Sequence, residues 1–364
     1  MPHPRTAISA SLHGDVLEIG PGYQAFPTAD DARIRFVDRR VPGGRDATWP
    51  ELVDAPHGPP GDIDADLDVD GLSAVADESC DVVIASHVIE HVANPVAALV
   101  EFQRVLRPGG RLVLLVPDRH HTFDHRREPT PFAHVLDEYR SGVKEVSEAH
   151  IREYCTALFG QPSIHPPEVR AWHDPDLLDS ERFDLHRRRT IHVHVWNPEE
   201  FATLVTGVIA EGLGSWRLES AYFVEDIHEG RRHEFGLVLE RVPGVPPIDA
   251  ARAFVRDWVG QVTAAPTRDL RRVGRYVDAV GAQLAAAPEL VGVLTESFAA
   301  VAERAGALQE RLVAVEKERD VARQATRAAQ AKVAAYQASR TYRLGRTVSA
   351  PLRRAQERRR PRGS

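Results

Sequence analysis

Between residues 15 and 125, short apolar runs alternate with longer stretches of mixed polarity. The runs DVLEIG, RIRFVD, CDVVIAS and RLVLLVPD are near-continuous in apolar residues. Strands buried on both faces have that texture, whereas half-exposed strands alternate apolar and polar positions. The intervening segments are helix-length, so the pattern predicts an α/β fold: a parallel sheet with helices on both faces. NPVAALVEFQRVLRPGG is punctuated as a helix, with Asn94 as cap, Pro95 in the first turn and Gly109–Gly110 beyond the end. The glycine turn GPG at 20–22 is followed by a segment read as a second helix, whose free N–H groups would point at the turn.

Periodicity fades over 119–190, which is rich in His, Pro, Arg and Asp and reads as a long, partly helical insertion. TIHVHVW then predicts a strand that places His192 and His194 on one face, and Asn197 caps an amphipathic helix. WRLESAYFVED and HEFGLVLERV predict a closing antiparallel pair, with the domain ending near Val242 where PGVPP begins a linker. The expected divisions are a catalytic domain over 1–242, a helical segment over 243–297, a weak coiled coil over 298–338 and a basic tail over 339–364. The coiled coil rests on Val301, Leu308, Val315, Ala322, Ala329 and Tyr336, seven apart, with Ala305, Leu312 and Val333 as companions. Arg319 and Thr326 interrupt that seam, so a homo-oligomer and a single solvated helix both remain open.

Composition narrows the setting. The hydrophobic fraction of 43% is ordinary for a globular protein, and no apolar stretch reaches the roughly 20 residues that span a bilayer. The start lacks the apolar core of a secretory signal, and Cys80 and Cys155 are too few and isolated for a disulfide framework; a cytoplasmic protein is expected. Nine arginines and one glutamate fall in the last 25 residues, so the body is more acidic than the net −7 of the whole chain. An acidic body does not suit nucleic acid. The tail, with Tyr342, Leu344, Val348 and Leu352 among its arginines, suits either an anionic membrane surface at the inner face of the cell membrane or a disordered basic end.

The glycine turn carries the first chemistry. Gly20 and Gly22 let a ligand approach the backbone, and Asp38 ends the second strand, where a carboxylate accepts hydrogen bonds from both hydroxyls of a ribose. Glu18 stands two residues before Gly20, a poor neighbour for a pyrophosphate and a good one for a cationic, amino-acid-bearing ligand. A third glycine is replaced by Ala25, and no Tyr-x-x-x-Lys follows VIASHV; both argue against a nicotinamide-dependent oxidoreductase.

In that order and spacing, VLEIGPG, FVDRR, DADLD, CDVVIASHVIEHVANP and RVLRPGGRLVLLVPD resemble class I S-adenosylmethionine-dependent methyltransferases of the type 11-like group. The resemblance spans roughly residues 12–125. It implies a Rossmann-like, seven-stranded sheet with a reversed last hairpin and S-adenosyl-L-methionine as cofactor. It also implies that Glu18, Gly20 and Gly22 line the methionine part, Asp38 holds the ribose, and Asp66 (or Asp64) lies near the adenine amino group. Ser86 and His87 would flank the sulfonium and the acceptor. VPDRHHTFDHRREPTPFAHVLDEY and the later IHVHVW resemble a bacterial subgroup associated with cell-surface polysaccharide biosynthesis, which implies a sugar or glycan hydroxyl as acceptor.

An alcohol needs a general base, and histidine serves near neutral pH. His121, oriented by Asp124, is the favoured base, with His125 second and with His192 and His194 as a separate group. His120, His121, Asp124, His125, His192 and His194 are all metal-ligand types, but their spacing matches no zinc motif, and no metal is expected. The alternatives are a methyltransferase of a small metabolite, lipid or protein nitrogen, and a non-catalytic scaffold within a polysaccharide assembly.

Overall fold

The computed structural model describes residues 4–22, 25–39, 58–161, 171–227 and 233–263, with a few further positions and a stretch at 317–332 beyond them. The chain divides into two compact units, Met1–Ala302 and Glu303–Ser364. In the second, residues 317–332 are helical and exposed, Ala322 and Ala329 among them. The other heptad positions and the tail over 339–364 lie outside the described residues. No helix among the described residues is long and apolar enough to cross a membrane.

The first unit is built on seven strands: β1 Asp15–Ile19, β2 Arg33–Asp38, β3 Ile63–Asp64, β4 Cys80–Ser86, β5 Leu106–Pro117, β6 Trp216–Tyr222 and β7 Glu234–Arg241. Their order is β3-β2-β1-β4-β5-β7-β6. Only β7 runs against the rest, pairing antiparallel with β5 and β6. This is a Rossmann-like sheet with a reversed strand in its closing hairpin, and all four runs and the closing pair form strands where their patterning predicts. Leu12, Val16, Phe26, Val82, Ile84, Val113, Leu115 and Val238 form one core cluster against it. Because β7 is reversed, its first residue, Glu234, sits opposite Pro117 at the last residue of β5. The carboxyl ends of β1, β2, β4 and β5 therefore share one edge with the start of β7, and ligands bind at that edge in such folds.

Helices α1 Pro4–Ser9 and α2 Pro95–Val105 belong to the sheet-forming half. Asn94 caps α2 by accepting from the Ala97 N–H at 3.0 Å, with Pro95 behind it. The insertion folds as short helices: 3-10 turns at Arg119–His121 and Phe123–Arg126, then α3 Phe132–Ser141, α4 Glu148–Leu158 and α5 Ser180–Arg189. Ile151, Tyr154, Cys155, Phe183, Ile191 and Val193 give it a core of its own. Helix α6 Pro198–Ala210 opens on a full capping box between Asn197 and Glu200. A Cβ on Gly207 would lie 2.6 Å from the Phe132 ring, so that glycine lets α3 press against α6.

Three expectations need correction. No helix follows the glycine turn among the described residues: 25–29 are irregular, because Pro27 offers no donor and the Phe26 N–H is taken by the Glu18 carboxylate. Residues 190–195 form no strand, and a single bridge joins Trp196 to Asp118. Their backbone groups go elsewhere: the Val193 and His194 N–H groups donate to the Glu90 carbonyl, and the Arg127 guanidinium takes the carbonyls of His192 and Val193. Third, the domain does not stop at Val242. Helix α7 Pro247–Thr263 packs on β6 and α6 and buries Phe254 and Trp258 completely.

Candidate functional site

The glycine loop leaves β1 with Gly20 at φ +57° and Gly22 at φ +60°, a backbone region that side chains rarely adopt. Among the described residues, a Cβ on Gly22 would meet the Gly20 carbonyl at 3.9 Å, so it is the positive φ and not crowding there that favours glycine. Beneath the loop, both Glu18 oxygens accept from the Phe26 N–H, at 2.9 and 3.0 Å. Glu18 is 2% exposed, and its carboxylate supports the turn through Phe26. Burial pushes its carboxyl up to about 7 despite the Phe26 hydrogen bond and the nearby Arg5 charge.

That shift has a sign. The folded value lies above the ordinary 4.5, so the stability Glu18 contributes is complete below pH 4.5 and lost as pH rises through about 7. Glu18→Gln is expected to flatten this fall: the variant should match wild type near pH 4.5 and exceed it at pH 8. Urea unfolding at the two pH values checks it, and a Gln variant weaker at both would refute it.

Asp38 ends β2 opposite Asp64 on β3. Its carboxylate accepts from the Arg39 N–H at 2.9 Å, and burial, with the Asp64 charge adding, raises its pKa. It stands at the end of β2, beside Asp64 at the end of β3. Asp66 is held by a turn, accepting from the Asp68 N–H, and lies 3.5 Å from the Arg39 guanidinium. Asp68, unremarked in the sequence, is the structural acid of IDADLD: it accepts from Ala93 N–H and Asn94 N–H and fixes the loop that starts α2. Burial lifts it to about 6.

Ser86 ends β4 opposite Leu115, and His87 follows at φ +55°, strained for a side-chain-bearing residue. The histidine is held there by its own contacts. Its Nε2 meets Glu234 at 2.8 Å and its Nδ1 lies 3.6 Å from Glu90. Burial would lower its pKa, but the Glu234 and Glu90 carboxylates outweigh that and raise it to about 9, so the ring is an imidazolium at neutral pH. Glu234 also accepts from the Arg5 guanidinium and, at 2.8 Å, from the Tyr222 hydroxyl. Glu90, 1% exposed, is flanked in turn by His91 at 3.6 Å. A charged chain from Arg5 through Glu234 and His87 to Glu90 thus lines the edge beside the glycine loop. Glu234 and Arg5 were invisible as site residues because both come from elements remote in sequence.

Past β5, Asp124 is 1% exposed, and its carboxylate is engaged by other partners than the expected His121. It accepts from the Arg127 guanidinium at 3.0 Å and meets His192 Nδ1 at 2.6 Å. Burial would raise its pKa, yet His192 and Arg127 together hold it below the usual range. His121 lies instead 3.1 Å from Asp118, and His125 is exposed with its Nδ1 against the Thr122 carbonyl. The 3-10 turn explains the switch: it aims Asp124 inward while His121 and His125 face outward. The carboxylate-oriented histidine of this site is His192, which meets the His91 ring edge-on at 4.9 Å and the tilted Phe123 ring at 4.7 Å between centroids. Its signal in the sequence was the IHVHVW alternation. The six ligand-type residues of the insertion do not converge, since His194 turns towards Glu138 and His120 towards Asn197.

Residues 61–114 match the family model described as a methyltransferase domain. Over 42 residues the chain is 55% identical to an uncharacterized 37.1 kDa protein in a transposon of Streptomyces fradiae, a match spanning 12% of each protein. Among solved structures it is similar to a SAM-dependent methyltransferase from Methanosarcina mazei, at 13% identity over 66% of this chain and 98% of that one, TM-score 0.35. It is similar also to the CurJ carbon methyltransferase, at 16% over 64% of this chain and 49% of that one, TM-score 0.33. The mitomycin 7-O-methyltransferase MmcR is a third, at 14% over 65% and 52%, TM-score 0.30.

Proposed function

We propose that this chain, built on a Rossmann-like methyltransferase domain that takes S-adenosylmethionine as methyl donor, methylates a hydroxyl of a sugar or surface-glycan precursor. The observation that carries the hydroxyl is the Asp124–His192 pair at 2.6 Å, past the carboxyl end of β5. The donor arrives already activated, and what an alcohol acceptor lacks is a base to take its proton. Asp124 fixes Nδ1 of His192 as the protonated nitrogen and leaves Nε2 to accept the hydroxyl proton as the oxygen attacks the methyl carbon and the carbon–sulfur bond breaks. Gly20 and Gly22 admit the donor's methionine end against bare backbone, and Asp38 holds its ribose hydroxyls. Ser86 and His87 close the edge between donor and acceptor. The sugar class rests on the resemblance of the segment following β5 to the polysaccharide-associated subgroup.

Calorimetry of the full chain with S-adenosylmethionine, S-adenosylhomocysteine and NAD(P) tests the donor. Micromolar binding of the first two, weakened at least tenfold in Asp38→Ala, is the expected result. Preference for the nicotinamide cofactor, or binding indifferent to Asp38→Ala, would overturn the reading. The tail is a separate proposal: deleting 340–364 should abolish co-sedimentation with anionic liposomes, and unchanged sedimentation would refute it.

A further inference from the structure

Away from the Asp124–His192 pair, four side chains from three pieces of chain converge. His134 and Glu138 lie one helical turn apart on α3, His150 sits in the first turn of α4, and His194 belongs to the irregular segment before α6. Their ligand atoms all lie within 4.8 Å of one another. Glu138 Oε1 meets His150 Nε2 at 2.8 Å and His134 Nε2 at 3.1 Å. Those two imidazole nitrogens are 3.2 Å apart, and His194 Nε2 lies 3.4 Å from Glu138 Oε2.

Hydrogen bonding does not account for the cluster. His194 is fully buried, yet its Nε2 has no hydrogen-bond partner, and neither does Glu138 Oε2, which faces it. Buried polar atoms are ordinarily paired, so two orphans aimed at one point indicate a missing partner common to both. Two imidazole Nε2 atoms side by side, both directed at one carboxylate, are also a poor arrangement for proton donors alone. They are what a shared cation produces: nitrogen and oxygen ligands about 2.0–2.2 Å from one tetrahedral ion lie roughly 3.3 Å from each other.

We infer that His134, Glu138, His150 and His194 form a zinc site, with three imidazole Nε2 atoms and one carboxylate oxygen as ligands. Imidazole with a single carboxylate suits zinc, and four protein ligands leave no open position, so the site is structural. It ties α3 and α4 of the insertion to the segment carrying His192, two residues from His194, and so fixes the base that Asp124 orients. The sequence did not disclose it because only His134 and Glu138 share an element, while His150 and His194 come from elsewhere.

Full-length protein loaded with Zn²⁺ and dialysed against metal-free buffer should retain one equivalent by elemental analysis. Co²⁺ in its place should give the intense visible bands of a four-coordinate ion. His134→Ala, a half-exposed position, and Glu138→Gln, which keeps the shape, should each weaken Zn²⁺ binding at least a hundredfold while leaving the circular dichroism and donor binding intact. No retained zinc, retention unchanged in both variants, or loss on His91→Ala instead would each overturn the assignment. The last would move the ion to Glu90, His91 and His192, whose ligand atoms also lie within 4.8 Å of one another. Donor binding is read separately, so failure of the zinc site and failure of the methyltransferase reading are distinguishable.

Discussion

His192→Gln is expected to lower turnover about 10²–10⁴-fold, the range a positioned general base contributes, with S-adenosylmethionine affinity unchanged. Gln keeps the hydrogen bond to Asp124 but cannot take a proton. Asp124→Asn should cost a comparable factor by releasing the tautomer that exposes Nε2. His121→Gln and His125→Gln should stay within a few-fold of wild type, because their rings sit at the exposed turn against Asp118 and the Thr122 carbonyl. Single-turnover rates with each variant check this. If His121→Gln is the damaging change and His192→Gln is not, the base has been misassigned and the outward-facing turn must refold around the acceptor.

Strands β1, β4 and β5 were legible because buried strands announce themselves as apolar runs, whereas β2, RIRFVD, alternates and is only partly buried; the caps at Asn94 and Asn197 announce their helices. Legibility stopped where tertiary partners outbid local pattern. IHVHVW alternates like a strand, but Glu90, Thr130 and Arg127 take its backbone groups and leave it irregular. The segment after GPG had the position of a helix, and one buried carboxylate, Glu18, claimed a donor the first turn would have needed. The site divides in the same way. Gly20, Gly22 and Asp38 are local to the ends of β1 and β2, so their position in the fold follows from the strands themselves. Which histidine meets Asp124 depends on a contact 68 residues away, and no spacing rule encodes that.

The largest loss of stability is expected at Arg127. Its guanidinium, 1% exposed, donates to Asp124, to the Glu153 carboxylate at 3.0 Å, and to the carbonyls of His192 and Val193 at 2.7 and 2.9 Å. Arg127→Met keeps the apolar stem and removes only the fork, so Asp124 loses its guanidinium and two buried carbonyls lose their donor. Breaking one side of a buried pair costs about 3–5 kcal/mol. Lysine should not rescue the loss, because one ammonium cannot reach the same acceptors in a planar fork. Urea unfolding at constant slope measures the effect, and a loss below about 1 kcal/mol would show that the segment holds its shape without the clamp. The same variant links stability to catalysis. Arg127 holds both the acid that orients His192 and the backbone that carries it, so turnover of the molecules that remain folded should fall as well. That second fall separates a clamp that positions the base from one that merely keeps the insertion folded.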